Sequence, residues 1–324
     1  MTRSSRTTIT ILVSKRMGKL IHRSKQPSLE RSCKPPSGDW IELGPSCPGL
    51  ERIEAFFAGH AYDPHRHDTY AIGYTISGVQ RFDYRGASVD SLPGNVLVLH
   101  PDERHDGRAG IVGGFHYRML YVEPHLIQCA LGAKAKSLPF VRSAASADIR
   151  LASALRHALG EWTRRWEALE TDQIVLGIAD ALLALDATAQ RASAPIICAR
   201  AVECARQFLD ANHDRTVAAE ELESLTGLDR FTLARHFRAR FGTSPYRYLT
   251  MRRLDGTRHR IRDGYTLAEA AAVNGFADQS HMTRQFKQAY GISPGRWQAL
   301  TRPVRAAVVS RQAVDLSGGS AAEA

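Results

Sequence analysis

The chain has 324 residues, 44 % of them hydrophobic, and a formal charge of +10. That is enough chain for two or three domains, and the basic balance favours an anionic partner: DNA, RNA or a membrane surface. The cysteines (Cys33, Cys47, Cys129, Cys198 and Cys204) include no CxxC pair and no run approaches a membrane span, which argues against a disulfide framework, a zinc finger and a spanning helix.

Residues 1–38 are basic and rich in Ser and Pro, with too little apolar content for a core, so a disordered extension is expected there. A non-specific DNA-binding arm is the alternative, and Met17 is an alternative start. The TTITILV run at 7–13 is too short for a secretory segment, so export is not expected and a cytoplasmic location is.

Residues 39–123 alternate short apolar runs with turn signals. The runs are Ile53–Phe57, Tyr70–Ser77, Gln80–Tyr84, Val96–His100 and Phe115–Val122, broken by Gly59, Ser77-Gly78, Arg85-Gly86, Pro93-Gly94 and Gly113-Gly114. This spacing predicts an all-β sandwich or barrel. Two motifs sharpen it. Gly59 is followed by His65-Arg66-His67, and Pro93-Gly94 by Val96-Leu97-Val98-Leu99 and then His105. They resemble the two motifs of the cupin superfamily, a jelly-roll fold, and the cupin-like sensor domain of the AraC/XylS family of transcription regulators. In metal-binding cupins the resemblance would make His65, His67 and His105 ligands. The glutamate of that set is replaced by Ala71-Ile72, so no metal and no cofactor is expected. A barrel interior suits a small molecule, and strand alternation offers His65, His67, Tyr70, Tyr74, His105 and Tyr117 as lining groups. Arg66 and Arg118 are candidates for an anionic ligand.

Residues 124–192 read as helical. Asp148–Trp166 carries Leu151, Ala154, Leu155, Ala158, Leu159 and Trp162 at helical spacing, and Asp172–Ala189 carries Ile174, Ile178, Ala181, Leu182 and Leu185. Arg191–Pro195 reads as a linker. By resemblance to AraC-type proteins these helices would make a homodimer contact.

Residues 196–300 hold an internal duplication. Arg235 to Pro245 and Arg284 to Pro294 share the ending RxFxxxxGxSP. Each copy closes a helix-turn-helix: Glu220–Thr226, Gly227 and Asp229–Phe241 in the first, and Leu267–Val273, Gly275 and the helix after Asp278 in the second. Tyr246–Ile261 joins them as one arginine-rich helix. Gly275-Phe276, Asp278-Gln279-Ser280-His281, Arg284, Phe286-Lys287, Gly291 and Ser293-Pro294 resemble the second helix-turn-helix of the AraC/XylS family. One position departs from the family pattern: Glu223 follows Leu222 where the family usually has alanine, and a carboxylate there must snorkel or pair.

The resemblance implies an α+β multidomain chain: a β jelly-roll sensor, a helical dimerisation segment and an all-α domain with two helix-turn-helix motifs joined by a long helix. It implies that Arg230, Phe231, Ala234 and Arg235 of the first head, and Gln279, Ser280, Thr283 and Arg284 of the second, face base edges in the major groove. Arg238, Lys287 and Arg296 would contact phosphates. The expected protein is a non-enzymatic regulator, an activator acting with RNA polymerase on promoter DNA under control of an unidentified small molecule. A metal-dependent cupin enzyme with an appended DNA-binding domain is the alternative. The tail 301–324, rich in Ala, Ser and Gly, is expected to be disordered.

Overall fold

The computed structural model describes residues 38–45, 47–135, 137–187 and 198–302. The expectations for the N-terminal extension, the 191–195 linker and the tail beyond Arg302 fall outside these residues.

Nine strands come first: β1 (Trp40–Leu43), β2 (Leu50–Phe57), β3 (His60–His65), β4 (Tyr70–Gly78), β5 (Gln80–Tyr84), β6 (Ala87–Ser91), β7 (Val96–Leu99), β8 (His105–Ala109) and β9 (Phe115–Val122). Two short ones, β10 (Ala145–Ser146) and β11 (Thr301–Arg302), complete two sheets. The larger runs β10-β7-β4-β9-β2-β1-β11 and the smaller β3-β8-β5-β6. Pairing is antiparallel except between β1 and β11, where Ile41 lies beside Thr301. Alternation along β9 sends Phe115, Tyr117 and Met119 inward, to meet Phe82 and Tyr84 of the smaller sheet in one core. Leu120 and Val122 join a second core on the opposite side.

That second core is covered by α1 (Pro124–Leu131), α2 (Ile149–Leu159) and α3 (Ala168–Leu185). The helix expected over Asp148–Trp166 stops earlier. Asp148 caps its start by accepting from the Arg150 and Leu151 amides, and Gly160 ends it. Trp162 and Trp166 stay buried in the chain beyond. The next helix starts four residues before the expected Asp172, at Ala168, where the Glu170 carboxylate accepts from the Glu167 amide (3.4 Å).

The remaining helices are α4 (Ala199–Ala211), α5 (Ala219–Thr226), α6 (Arg230–Phe241), α7 (Pro245–Arg262), α8 (Leu267–Val273), α9 (Gln279–Tyr290) and α10 (Pro294–Leu300). Asp229 and Asp278 cap α6 and α9 as the sequence predicts. Gly242 and Gly291 end them in the left-handed conformation, with φ of +74° and +69°. Ser244 and Ser293 cap α7 and α10, each with Pro in the first turn. The two halves differ in packing. Leu222, Leu233, Phe237 and Phe241 of the first head form a core with α4. Met282, Phe286 and Ala289 of the second head join the inner core of the β-sandwich.

Candidate functional site: a shared cavity and two reading heads

Second-head residues lie directly on the sandwich. The Asp63 amide donates to the Gly291 carbonyl (2.8 Å) and the Arg66 amide to the Gln288 carbonyl (3.2 Å). Lys287 Nζ is 2.8 Å from an Asp63 oxygen, and Arg296 donates to the His60 carbonyl (3.0 Å). A Cβ on Gly291 would stand 2.6 Å from the Asp63 carbonyl oxygen and 2.7 Å from His65 Nδ1, so glycine permits the approach as well as the turn.

Beside this contact lies a cavity of about 490 Å³. Ile41, Leu43, Leu50 and Ile53 of β1 and β2 form its apolar wall on the sandwich side, and Met251, Ala289, Ile292 and Trp297 close it from the helical side. Its arginines sit on α7 and its carboxylates on both sides of the cavity. Arg252 pairs with Glu123, with Asp68 (3.1 Å) and with Asp255 (3.2 Å). Arg258 pairs with Glu51 and stands over the rings of Tyr290 (5.0 Å) and Trp297 (5.3 Å). His259 and Arg262, both exposed, also line it.

Burial raises the Asp68 carboxyl to about 6 against the pull of Arg252. Burial also works to raise Glu123, but His125 and Arg252 hold it down to about 2. The three motif histidines pack together, with His65 and His105 ring centres 4.3 Å apart and His67 and His105 4.9 Å apart. Burial lowers all three, His105 to about 4, and keeps them neutral. Nδ1 of each meets a backbone carbonyl: Asp63, Thr69 and Glu103 respectively. Among the described residues no group of three or more His, Cys, Asp or Glu is placed to hold a metal ion.

Of the ligand residues expected from sequence, His65 and His67 line the cavity; Tyr70, Tyr74, His105 and Tyr117 do not. For Tyr70 and Tyr74 the reason is strand parity. Tyr70 and Tyr74 share the face of β4 that packs on the helices, where the Tyr70 hydroxyl donates to the Pro139 carbonyl (2.9 Å). Tyr117 faces the inner core and shares a 2.7 Å hydrogen bond with Tyr62. Arg118 is taken by Glu54 (2.9 Å) and Arg66 lies 3.5 Å from Asp102. Sequence reading passed over Glu51, Asp68 and Glu123, and with them the inward role of α7. A signal existed: Arg247 and Arg258 are eleven residues apart, about three helical turns, and so share one face.

The heads present different surfaces. On α9, Gln279, Ser280 and Arg284 are exposed and Thr283 is half-buried; none of these side chains has a hydrogen bond or ion pair among the described residues. Lys287 is exposed but paired to Asp63. On α6, Phe231 is 73 % exposed, Arg235 and Arg238 are exposed and Ala234 is half-buried. Arg235 donates to the Thr232 hydroxyl (2.9 Å). Arg230 is exposed and bound to Glu220 and Glu223 (3.1 Å each), so the carboxylate at the departing position does pair.

Comparison with known proteins fits this geometry. Residues 48–179 match the model of an AraC-like ligand binding domain, and residues 222–299 that of a helix-turn-helix domain. The chain is 25 % identical over 240 residues to the YbfI HTH-type transcriptional regulator of Bacillus subtilis, covering 71 % of this chain and 86 % of that one. It is 36 % identical over 95 residues to an AraC-like transcription regulator of Streptomyces antibioticus, covering 29 % of this chain and 31 % of the relative. In fold it matches ToxT of Vibrio cholerae at a TM-score of 0.58 and 10 % identity, over 78 % of this chain and 98 % of ToxT. A ToxT structure with unsaturated fatty acid bound matches at 0.55 and 11 % identity, over 82 % and 97 %. With an AraC-like ligand-binding domain joined to a two-headed helix-turn-helix domain, the chain belongs to the AraC family of transcription regulators.

Proposed function

We propose that a small amphipathic anion in the cavity between the sandwich and α7 controls promoter binding. The observation that carries this is the shared wall: an occupant touching Leu43 and Ile53 of the sensor also touches Met251, Arg258 and Trp297 of the DNA-binding part. The apolar wall suits a hydrocarbon or aryl body, and Arg258 and Arg262 suit a carboxylate. The fatty acid in the ToxT structure is of this chemical class. A carboxylate that draws Arg258 from Glu51, or Arg252 from Glu123, changes the contacts between α7 and the sensor. It thereby shifts the population competent to bind DNA. The test is a footprint on the protein's own upstream region at fixed salt, with and without medium- and long-chain carboxylic acids. A footprint that one acid changes in the wild type and not in Arg258→Ala supports the reading. One that no acid changes sinks it.

The active form we propose is a homodimer that activates transcription with RNA polymerase. Leu169 (80 % exposed) and Leu176 (42 %) on α3 support the dimer, since they stand seven residues apart on the face turned from the sandwich. Sedimentation of Leu169→Glu/Leu176→Glu against wild type tests it: a wild-type dimer that the charges do not dissociate excludes this face.

A further inference from the structure

We propose that Glu223, aided by Glu220, is a positioning residue that holds Arg230 away from DNA, so that the second head sets most of the sequence preference. The pairing is dense. Glu223 Oε1 accepts from the Arg230 amide (2.8 Å) and from its Nε (3.1 Å), and Oε2 accepts from Nη2 (3.4 Å). Glu220 takes Nη2 as well, at 3.1 Å. The Nε–Nη2 edge, one of the two edges that can grip guanine bidentately, is thereby occupied. Asp229 accepts from the Phe231 and Thr232 amides, both at 3.0 Å. The first three amides of α6 thus end on carboxylates, and these groups are what a helix start offers a phosphate. Three carboxylates surround the Arg230 guanidinium there, with Arg235 one turn on beside Asp229, and their field opposes the approach of a phosphate to this helix start.

The second repeat lacks this arrangement. Glu223 lies four residues before Gly227; four residues before Gly275 stands Ala271. Arg230 opens α6, and Gln279 opens α9. At the start of α9, Asp278 accepts from the His281 amide, and the Gln279 and Ser280 side chains have no partner among the described residues. Carboxylate and arginine occur together in one repeat and are absent together from the other, as a pair that works as a unit would be.

The experiment measures affinity for the upstream DNA by fluorescence anisotropy between low and moderate salt, using the full chain. Wild type, Glu223→Gln, Glu220→Gln/Glu223→Gln, Arg230→Ala, the triple variant and Arg284→Ala are compared, with thermal melts as a folding control. Glutamine keeps size and hydrogen bonding while removing charge. The double glutamine variant is expected to bind about 3- to 10-fold tighter, with a salt slope steeper by about one ion, as one freed cation reaches a phosphate. Arg230→Ala is expected to change wild-type binding less than twofold and to abolish the gain in the triple variant. Weaker or unchanged binding by the glutamine variants at wild-type thermal stability overturns the proposal. So does an Arg230→Ala loss as large as that of Arg284→Ala, which would make Glu223 a buttress that aims Arg230 at a base.

Discussion

Arg252 sits inside the molecule and meets carboxylates from both sides, Asp68 and Glu123 from the sensor and Asp255 from its own helix. Replacing it by methionine removes the guanidinium that Asp68 and Glu123 share, leaving Asp68 the weaker pull of Arg247 and Glu123 its contact with His125. The expected cost is about 3–5 kcal/mol, read as a lower melting temperature at pH 7. The motif histidines give a signed pH dependence. Burial lowers His105 from 6.5 to about 4, so its contribution is complete above pH 6.5 and is lost as pH falls through about 4. Asp68 acts oppositely. Its protonated form stabilises fully below 3.8, and that contribution disappears as pH rises through about 6. Between pH 6.5 and 6 the histidines dominate, and the melting temperature is expected to fall on acidification. His105→Gln should make that fall shallower, and an unchanged slope would refute the assignment. At this scale the sequence was legible where a residue's role is local. Asp229 and Asp278 cap because a carboxylate before a helix meets free amides, whichever domain lies nearby. Tyr70 and Tyr74 were not legible as helix-facing, since alternation tells which side chains share a face and not which face is inside.

Among the elements, α9 packs into the core of the sandwich, whereas α6 shares its core with α4 and its own hairpin and meets the sensor at α1 and beside Gly242, at Pro101 and Leu138. Glycines of almost equal conformation separate the two situations. Gly291 (φ +69°) has Asp63 and His65 against its Cβ position, whereas Gly227 (φ +68°) has open space. Alanine at either position costs about 1–3 kcal/mol of backbone strain. Gly291→Ala must also push α9 from β3. It is expected to speed hydrogen exchange in Asp63–Arg66 and α9, while Gly227→Ala leaves those amides unchanged. The endings of α6 and α9, at Gly242 and Gly291, show what a sequence can convey. The glycine, serine and proline that end each recognition helix are written next to the turn they make. That Gly291 also seats a strand is fixed by residues more than 220 positions earlier, and no local pattern reports it.

For the whole molecule, the unequal heads imply unequal stability. Phe237 lies in the core that α6 shares with α4, and Phe286 in the core of the sandwich, both fully buried. Alanine at either costs about 3–5 kcal/mol. Phe286→Ala should lower the denaturation midpoint of the entire chain. Phe237→Ala should open the first head alone, seen as early loss of protection in α4–α6 while the sheet amides hold. A single shared transition in both variants would show that the first head is not a separate cooperative unit.

The pairing of β1 with β11 joins Ile41 to Thr301, 260 residues later in the chain. Until residues 301–302 leave the ribosome, the outer edge of β1 has no partner, although every other strand of its sheet has already been synthesised. The first nine strands can therefore pair early, and the contact that β11 adds forms only once residue 302 has emerged. A nascent chain with its sheets paired still lacks the part of its inner core that Met282, Phe286 and Ala289 supply, and β11 follows them in the chain.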